Sequence, residues 1–245
     1  MSSGNNAAQR RQRIEELRAA EKAKVKKRRS LFALAGVVVV ALVAGGIVWA
    51  TTRPVFCGDA ASGGPNGKQW TTAPAMSVDT SAAYSATLKT SCGDIGIKLD
   101  AKNAPQTVNS FVYLAQQDYF NHTKCHRLTT SGIYVLQCGD PTGTGSGGPG
   151  YTLPDEYLKD PAIQGGSYPA GTVAMANTGA AHTGGSQFFL VYQASQLAAS
   201  YTPFGTITSG LDILRHIAGN GVQGGGTDGK PKDNVVINSV PVTKD

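Results

Sequence analysis

Several chemistries are missing from this 245-residue chain. Its four histidines, His122, His126, His182 and His216, lack any mutual spacing suited to metal ligation. Its four cysteines, Cys57, Cys92, Cys125 and Cys138, sit at intervals that match no zinc finger or ribbon, so no metal is expected. Ser186 has no Gly-x-Ser-x-Gly elbow around it and no evident partner base, which disfavours nucleophilic hydrolysis. Gly143-x-Gly145-x-x-Gly148 spells a dinucleotide fingerprint, but Pro149-Gly150 follows where a phosphate-binding helix would have to start. No cofactor motif remains, and there is no internal repeat. Aromatic residues are only 7% of the chain against 31 Gly and 12 Pro, a balance that favours many turns and few long helices.

Charge is sparse as well, at 16%, and unevenly placed. Residues 1–30 hold ten Lys/Arg against three Glu, whereas the other 215 residues hold twelve Lys/Arg against thirteen Asp/Glu. The net +6 therefore belongs to a tail, and the near-neutral remainder gives no reason to expect a nucleic-acid partner. Leu31–Ala50 follows that tail without a single charged side chain, long enough as a helix (about 30 Å) to cross a bilayer core. Lys22, Lys24, Lys26, Lys27, Arg28 and Arg29 lie on its near side and Trp49 at its far end. The positive-inside bias then predicts a cytoplasmic tail (1–30), a transmembrane helix (31–50) and everything later outside the cytoplasm. A cleaved signal peptide fits less well, because the apolar run is too long and no small-x-small site follows it.

Residues 51–83 carry Pro54, Pro65, Pro74 and Gly63-Gly64 with no apolar period, which predicts a flexible linker. From Tyr84 the texture changes. Leu88, Thr90, Ile95, Ile97 and Leu99 alternate across a Cys92-Gly93-Asp94 turn, predicting a hairpin. Pro105 opens a helix whose apolar face is Val108, Phe111, Val112 and Ala115. Short strands are expected near 125–128, 133–138, 171–176 and 187–192, then a helix over 211–218 and a strand over 235–242. Many short strands with two isolated helices predict a mainly β domain, a closed antiparallel barrel with plugged ends, over 84–245. Beyond the membrane all four cysteines could be paired, in any of three ways, or stay as buried thiols.

Four motifs follow one another in the chain: His126-Arg127, Gln137-Cys138-Gly139-Asp140, Gly171-Thr172-Val173-Ala174-Met175-Ala176-Asn177 and Gly184-Gly185-Ser186-Gln187-Phe188-Phe189. They supply a cation, two amides and an aromatic floor, a set suited to rotating a bond and not to cleaving one. In order and spacing they resemble the cyclophilins, peptidyl-prolyl cis-trans isomerases that bind proline-containing polypeptide. The resemblance covers roughly 84–243 and implies an eight-stranded closed barrel capped by two helices. It implies Arg127 as the catalytic cation and Gln137 and Asn177 as peptide clamps. Tyr134, Val135, Phe189 and Leu197 would wall the proline pocket, with Tyr201 at its rim. Gln187 would support the arginine or the peptide, and Ala176 and Thr178 would edge the groove. It also implies a Cys125–Cys138 disulfide, which leaves Cys57 with Cys92.

The chain departs from that family in three places. Gln196 stands where many members have the tryptophan that helps hold cyclosporin, which implies weak cyclosporin binding. Arg127–Tyr134 is about two residues longer than usual, and Cys138 replaces a glycine. The function expected is a membrane-anchored foldase acting on X-Pro bonds in extracytoplasmic polypeptides. The alternative is a proline-binding module without turnover, which would need the pocket but not the cation.

Overall fold

Alternating apolar side chains make the first hairpin. In a computed structural model, which describes residues 57–245, β1 (Tyr84–Thr90) and β2 (Gly93–Leu99) pair antiparallel from Tyr84↔Leu99 to Thr90↔Gly93. Leu88, Ile95, Ile97 and Leu99 face the core while Lys89 and Lys98 face solvent, as the two-residue strand period requires. The helix α1 (Pro105–Gln116) starts at its proline and buries Val108, Phe111, Val112, Leu114 and Ala115. Its N-cap, Ala104, has no side chain to offer the first-turn N–H groups. The carboxylate of Glu156 serves instead, accepting from Gln106 N at 3.0 Å and from Thr107 N and Oγ1 at 2.8 Å. An anion there also complements the helix dipole.

Eight further strands are β3 (Thr123–Lys124), β4 (Arg127–Thr129), β5 (Val135–Cys138), β6 (Ser167–Tyr168), β7 (Thr172–Met175), β8 (Phe188–Val191), β9 (Ser195–Gln196) and β10 (Pro203–Ser209). After α2 (Leu211–Asn220) come β11 (Asp228–Gly229), β12 (Val236–Ser239) and β13 (Val242–Lys244). Eleven of the strands form one curled antiparallel sheet in the order β11-β4-β5-β8-β7-β10-β2-β1-β12-β3, with β13 on β1; β6 and β9 pair separately.

The closed eight-stranded barrel expected from the sequence is therefore not what forms. Among the described residues the two ends of the sheet, β3 and β11-β4, share no strand pairing. The chain itself bridges them. Cys125 N still donates to Val235 O at 2.9 Å, on the β12 side, whereas Arg127 already pairs with Gln137 of β5. One expected strand over 125–128 thus becomes two short ones that belong to opposite ends of the sheet. The disulfide Cys125–Cys138 lies at this seam and Cys57–Cys92 at the first hairpin, so all four cysteines are paired.

The core compensates for few aromatics by concentrating them. Phe111 packs on Phe120, Phe188 and Phe204 with ring centroids 5.1, 5.6 and 5.4 Å away, joining α1 to the sheet.

The basic tail, the apolar run of 31–50 and residues 51–56 lie outside the described residues. Among those described, no helix is long and apolar enough to cross a membrane. Residues 57–83, expected to be flexible linker, instead form a strap laid on the domain. Gly58 N donates to Ser91 O and Trp70 N to Pro149 O, both at 2.8 Å. Trp70 packs against Tyr113 and Tyr119 at 5.4 and 5.8 Å, and Asn109 Oδ1 accepts from Ser77 N and Val78 N. Proline and glycine without apolar period are equally the composition of an extended strap whose bonds go to another element.

Two stability outcomes follow from these contacts. Glu156→Ala should lower unfolding free energy by about 1–2 kcal/mol, seen as a lower urea midpoint with an unchanged slope. Replacing Cys57 and Cys92 with Ser removes a cross-link across 35 residues and should cost about 2–4 kcal/mol, with proteolysis inside the strap preceding cleavage of the domain.

Candidate active site

Strand register assembles the motifs. Arg127 pairs with Gln137, Gln137 with Phe189, and Phe189 with Ala174, so one row crosses four adjacent strands, β4, β5, β8 and β7. Directly opposed residues in a sheet point to the same face. Behind the polar end of this row, Val135, Ile163, Tyr168, Ala174, Phe189 and Val191 form a small second core, with Ile133, Ala176, Leu197 and Tyr201 packed on it. In front lies an open cavity of about 400 Å³ with an apolar end at Val135, Phe189 and Leu197 and a polar end at Arg127, Gln137 and Asp228.

The guanidinium is held from both sides. Asp228, delivered by β11, accepts from Arg127 Nε at 2.8 Å and from Nη2 at 2.7 Å. These bonds raise the arginine pKa further and lower that of the Asp228 carboxyl, so both groups are charged at any ordinary pH. Nη1 faces the other way, 3.4 Å from Gln137 Oε1. Gln137 Nε2 in turn donates to Gln187 Oε1 at 2.9 Å, and Gln187 Nε2 donates to the carbonyls of Gly145 and Gly147 at 3.0 and 2.9 Å. Each amide accepts on one side and donates on the other, so the relay has a single direction.

The loop at the end of the relay is the one that spelled a dinucleotide fingerprint. Its backbone N–H groups do converge on an anion, but that anion is internal. Asp140, fully buried, accepts from Thr142 N at 2.7 Å, Thr144 N at 3.0 Å and Gly145 N at 2.6 Å. Burial alone would raise its pKa; hydrogen bonds from Thr142 and the loop backbone outweigh that and lower it. The nest is therefore filled by the chain's own carboxylate. Gly139, at φ +87°, has to be glycine because a β-carbon would collide with the Ser186 carbonyl. Beyond the loop is a second cavity of about 650 Å³, bordered by Gly145–Thr152, Thr178 and Gln187, with Gln69 of the strap at its rim.

Eight of the residues expected at the site line the first cavity: Arg127, Val135, Gln137, Ala176, Asn177, Phe189, Leu197 and Tyr201. Thr178 and Gln187 line the second. Tyr134 lines neither; it packs edge-on against Tyr192 at 6.0 Å, on the other core. Ile133 takes its expected place on the wall, because residues 133 and 135 share a face and 134 opposes them. Asn177 has both ends of its side chain engaged, Nδ2 to Ser200 O at 2.8 Å and Oδ1 to Gly179 N at 3.0 Å. These two bonds fix the side chain and leave its backbone facing the cavity it lines. Asp228, Gly229, Lys230 and His126 also line the cavity and were not anticipated. His126 was visible beside Arg127, but nothing local to Asp228, 101 positions away, marked it. The buried His126 ring has its pKa depressed by desolvation, which keeps it neutral.

Comparisons with known proteins point to one family. The probable peptidyl-prolyl cis-trans isomerase B of Mycobacterium tuberculosis is 51% identical over 172 residues, and that of Mycobacterium leprae 50%. Each match takes in 65% of this chain and 54% or 57% of the relative, so the chain spans little more than half the length of these relatives. A peptidyl-prolyl cis-trans isomerase of Helicobacter pylori is 41% identical over 54% of this chain and 78% of its own. Among solved structures, a Cryptosporidium parvum cyclophilin-type isomerase crystallised in the presence of the dipeptide Ala-Pro superposes with a TM-score of 0.55 at 27% identity, covering 66% of this chain and 99% of that one. The family model for cyclophilin type peptidyl-prolyl cis-trans isomerases matches residues 85–242, from the first strand of the sheet to its last, and the chain belongs to that family.

Proposed function

We propose that this chain accelerates rotation about X-Pro bonds in unfolded or extended polypeptides outside the cytoplasm, assisting their folding. The observation that carries this reading is the Arg127 guanidinium with Nη1 turned toward Gln137, at the edge of an apolar hole built on Phe189. An X-Pro amide owes its barrier, about 18–20 kcal/mol, to delocalisation of the nitrogen lone pair into the carbonyl. With the proline ring seated against Phe189, Val135 and Leu197, an Nη1 proton can be donated to the prolyl nitrogen once the bond twists and that lone pair localises. A planar amide nitrogen offers no such acceptor, so the bond forms only toward the transition state. Moving from about a hundred seconds to milliseconds needs roughly 7 kcal/mol. One hydrogen bond falls short of that, and holding the peptide in a twist-ready pose has to supply the rest. Gln137 and the Asn177 backbone are placed to do this, and Ala176, Thr178 and Gln187 shape the groove leading to the second cavity. No metal or cofactor enters the scheme.

The placement outside the cytoplasm rests on sequence and on cysteine chemistry. Residues 1–30 form the basic cytoplasmic tail and 31–50 the single transmembrane helix in this reading, with 84–245 as the isomerase domain. Complete pairing of the four cysteines supports it, since disulfides persist in oxidising compartments. The related structure, crystallised in the presence of the dipeptide Ala-Pro, supports a proline-containing partner.

Exchange NMR on a short X-Pro peptide, with the full chain in detergent micelles, tests the activity. The native chain should accelerate exchange, and Arg127→Ala should cut turnover by about 10²–10³-fold with peptide affinity nearly unchanged. Binding without acceleration in the native chain would make it a proline-binding module instead. Cyclosporin should bind weakly, because exposed Gln196 beside Leu197 offers no aromatic face. Titration should show the affinity rising in Gln196→Trp while turnover stays the same.

A further inference from the structure

Arg127 does not stand free. The fork from Asp228 engages Nε and Nη2 together, at 2.8 and 2.7 Å, so the carboxylate and guanidinium planes are locked edge to edge. Only the Nη1 edge and one Nη2 proton remain for anything in the cavity. The second restraint, Gln137 Oε1 at 3.4 Å from Nη1, is too long to orient the group by itself.

The pair contributes little to stability. The arginine side chain is 40% exposed and the aspartate 54%, and exposed ion pairs are worth about 0–1 kcal/mol. What the fork does supply is direction. A solvent-facing arginine has many rotamers, and a donor has to meet the prolyl nitrogen from one side of a twisting amide.

The protein invests structure in delivering this one carboxylate. The strand β11 is two residues long and sits at the open end of the sheet, paired to β4 through Asp228↔Thr129 and Gly229↔Leu128. Thr130 N→Thr227 O at 2.8 Å, and Gln223 N→Lys230 O and Lys232 N→Gly221 O on the far side, hold the glycine-rich loop that carries it.

We propose that Asp228 is a positioning residue for the isomerisation: it fixes the guanidinium so that Nη1 is aimed across the cavity before substrate arrives. This rests on the isomerase reading of Arg127. Turnover and peptide affinity are measured separately by exchange NMR on the full chain, alongside the Arg127 Nε–H resonance, which a fixed fork protects from solvent exchange. Asp228→Ala should lower turnover of bound peptide by about 10–100-fold, leave affinity within about threefold and wash out the Nε–H resonance. Asp228→Asn, which keeps one acceptor atom and puts a donor in place of the other, cannot form the fork and should behave alike, and Asp228→Glu should recover most of the loss. Unchanged or faster turnover in Asp228→Ala would overturn the inference, as would lost turnover with the Nε–H resonance intact. If Arg127→Ala is inactive while Asp228→Ala is native-like, the isomerase reading survives and this inference alone falls. A native chain without turnover would overturn both.

Discussion

The site depends on one short strand pairing, Arg127↔Gln137 and Leu128↔Leu136, made near the open end of a sheet. A three-residue strand against a four-residue one has few ladder bonds to hold its register, and slipping by one residue would turn Arg127 to the other face. The Cys125–Cys138 cross-link joins the chain two residues before the arginine to the residue after the glutamine. It stands where the barrel lacks strand pairing, and it constrains the register on which the cation, the amide and the aromatic floor are lined up.

Around that pairing, polar groups are organised by saturation. Asp140 satisfies the loop N–H groups, the loop carbonyls satisfy Gln187, Gln187 satisfies Gln137, and Asp228 satisfies two of the arginine donors. Arg127, Gln137 and Asp228 themselves line the cavity. Such a network cannot be altered at one member without leaving a neighbour with an unmet donor or acceptor, a penalty of about 1–3 kcal/mol where it is buried.

The strap extends the fold beyond the family region. It lies outside residues 85–242, yet it is tied by a disulfide to the first hairpin and by Trp70 to the loop that borders the second cavity. The rim of that cavity therefore includes Gln69, a residue from a segment whose composition read as tether.

Reading residues in order was enough to identify the family, α1 from its proline, the first hairpin and eight of the residues that line the first cavity. These rest on local rules: strand alternation, the fixed φ of proline, and motifs whose members lie within a few positions. Tyr134 was misplaced because a turn around Gly132 sets which of three consecutive residues faces the wall, and a longer loop hides that parity. The barrel's openness, the Glu156 cap, the docking of the strap and the Asp228 fork were not legible. Each joins positions tens of residues apart, 101 in the case of Asp228 and Arg127. Local propensity carries no information about such distances. They exist because a buried or half-buried donor takes whichever acceptor the packed chain brings within about 3 Å, and only the tertiary structure decides which one that is.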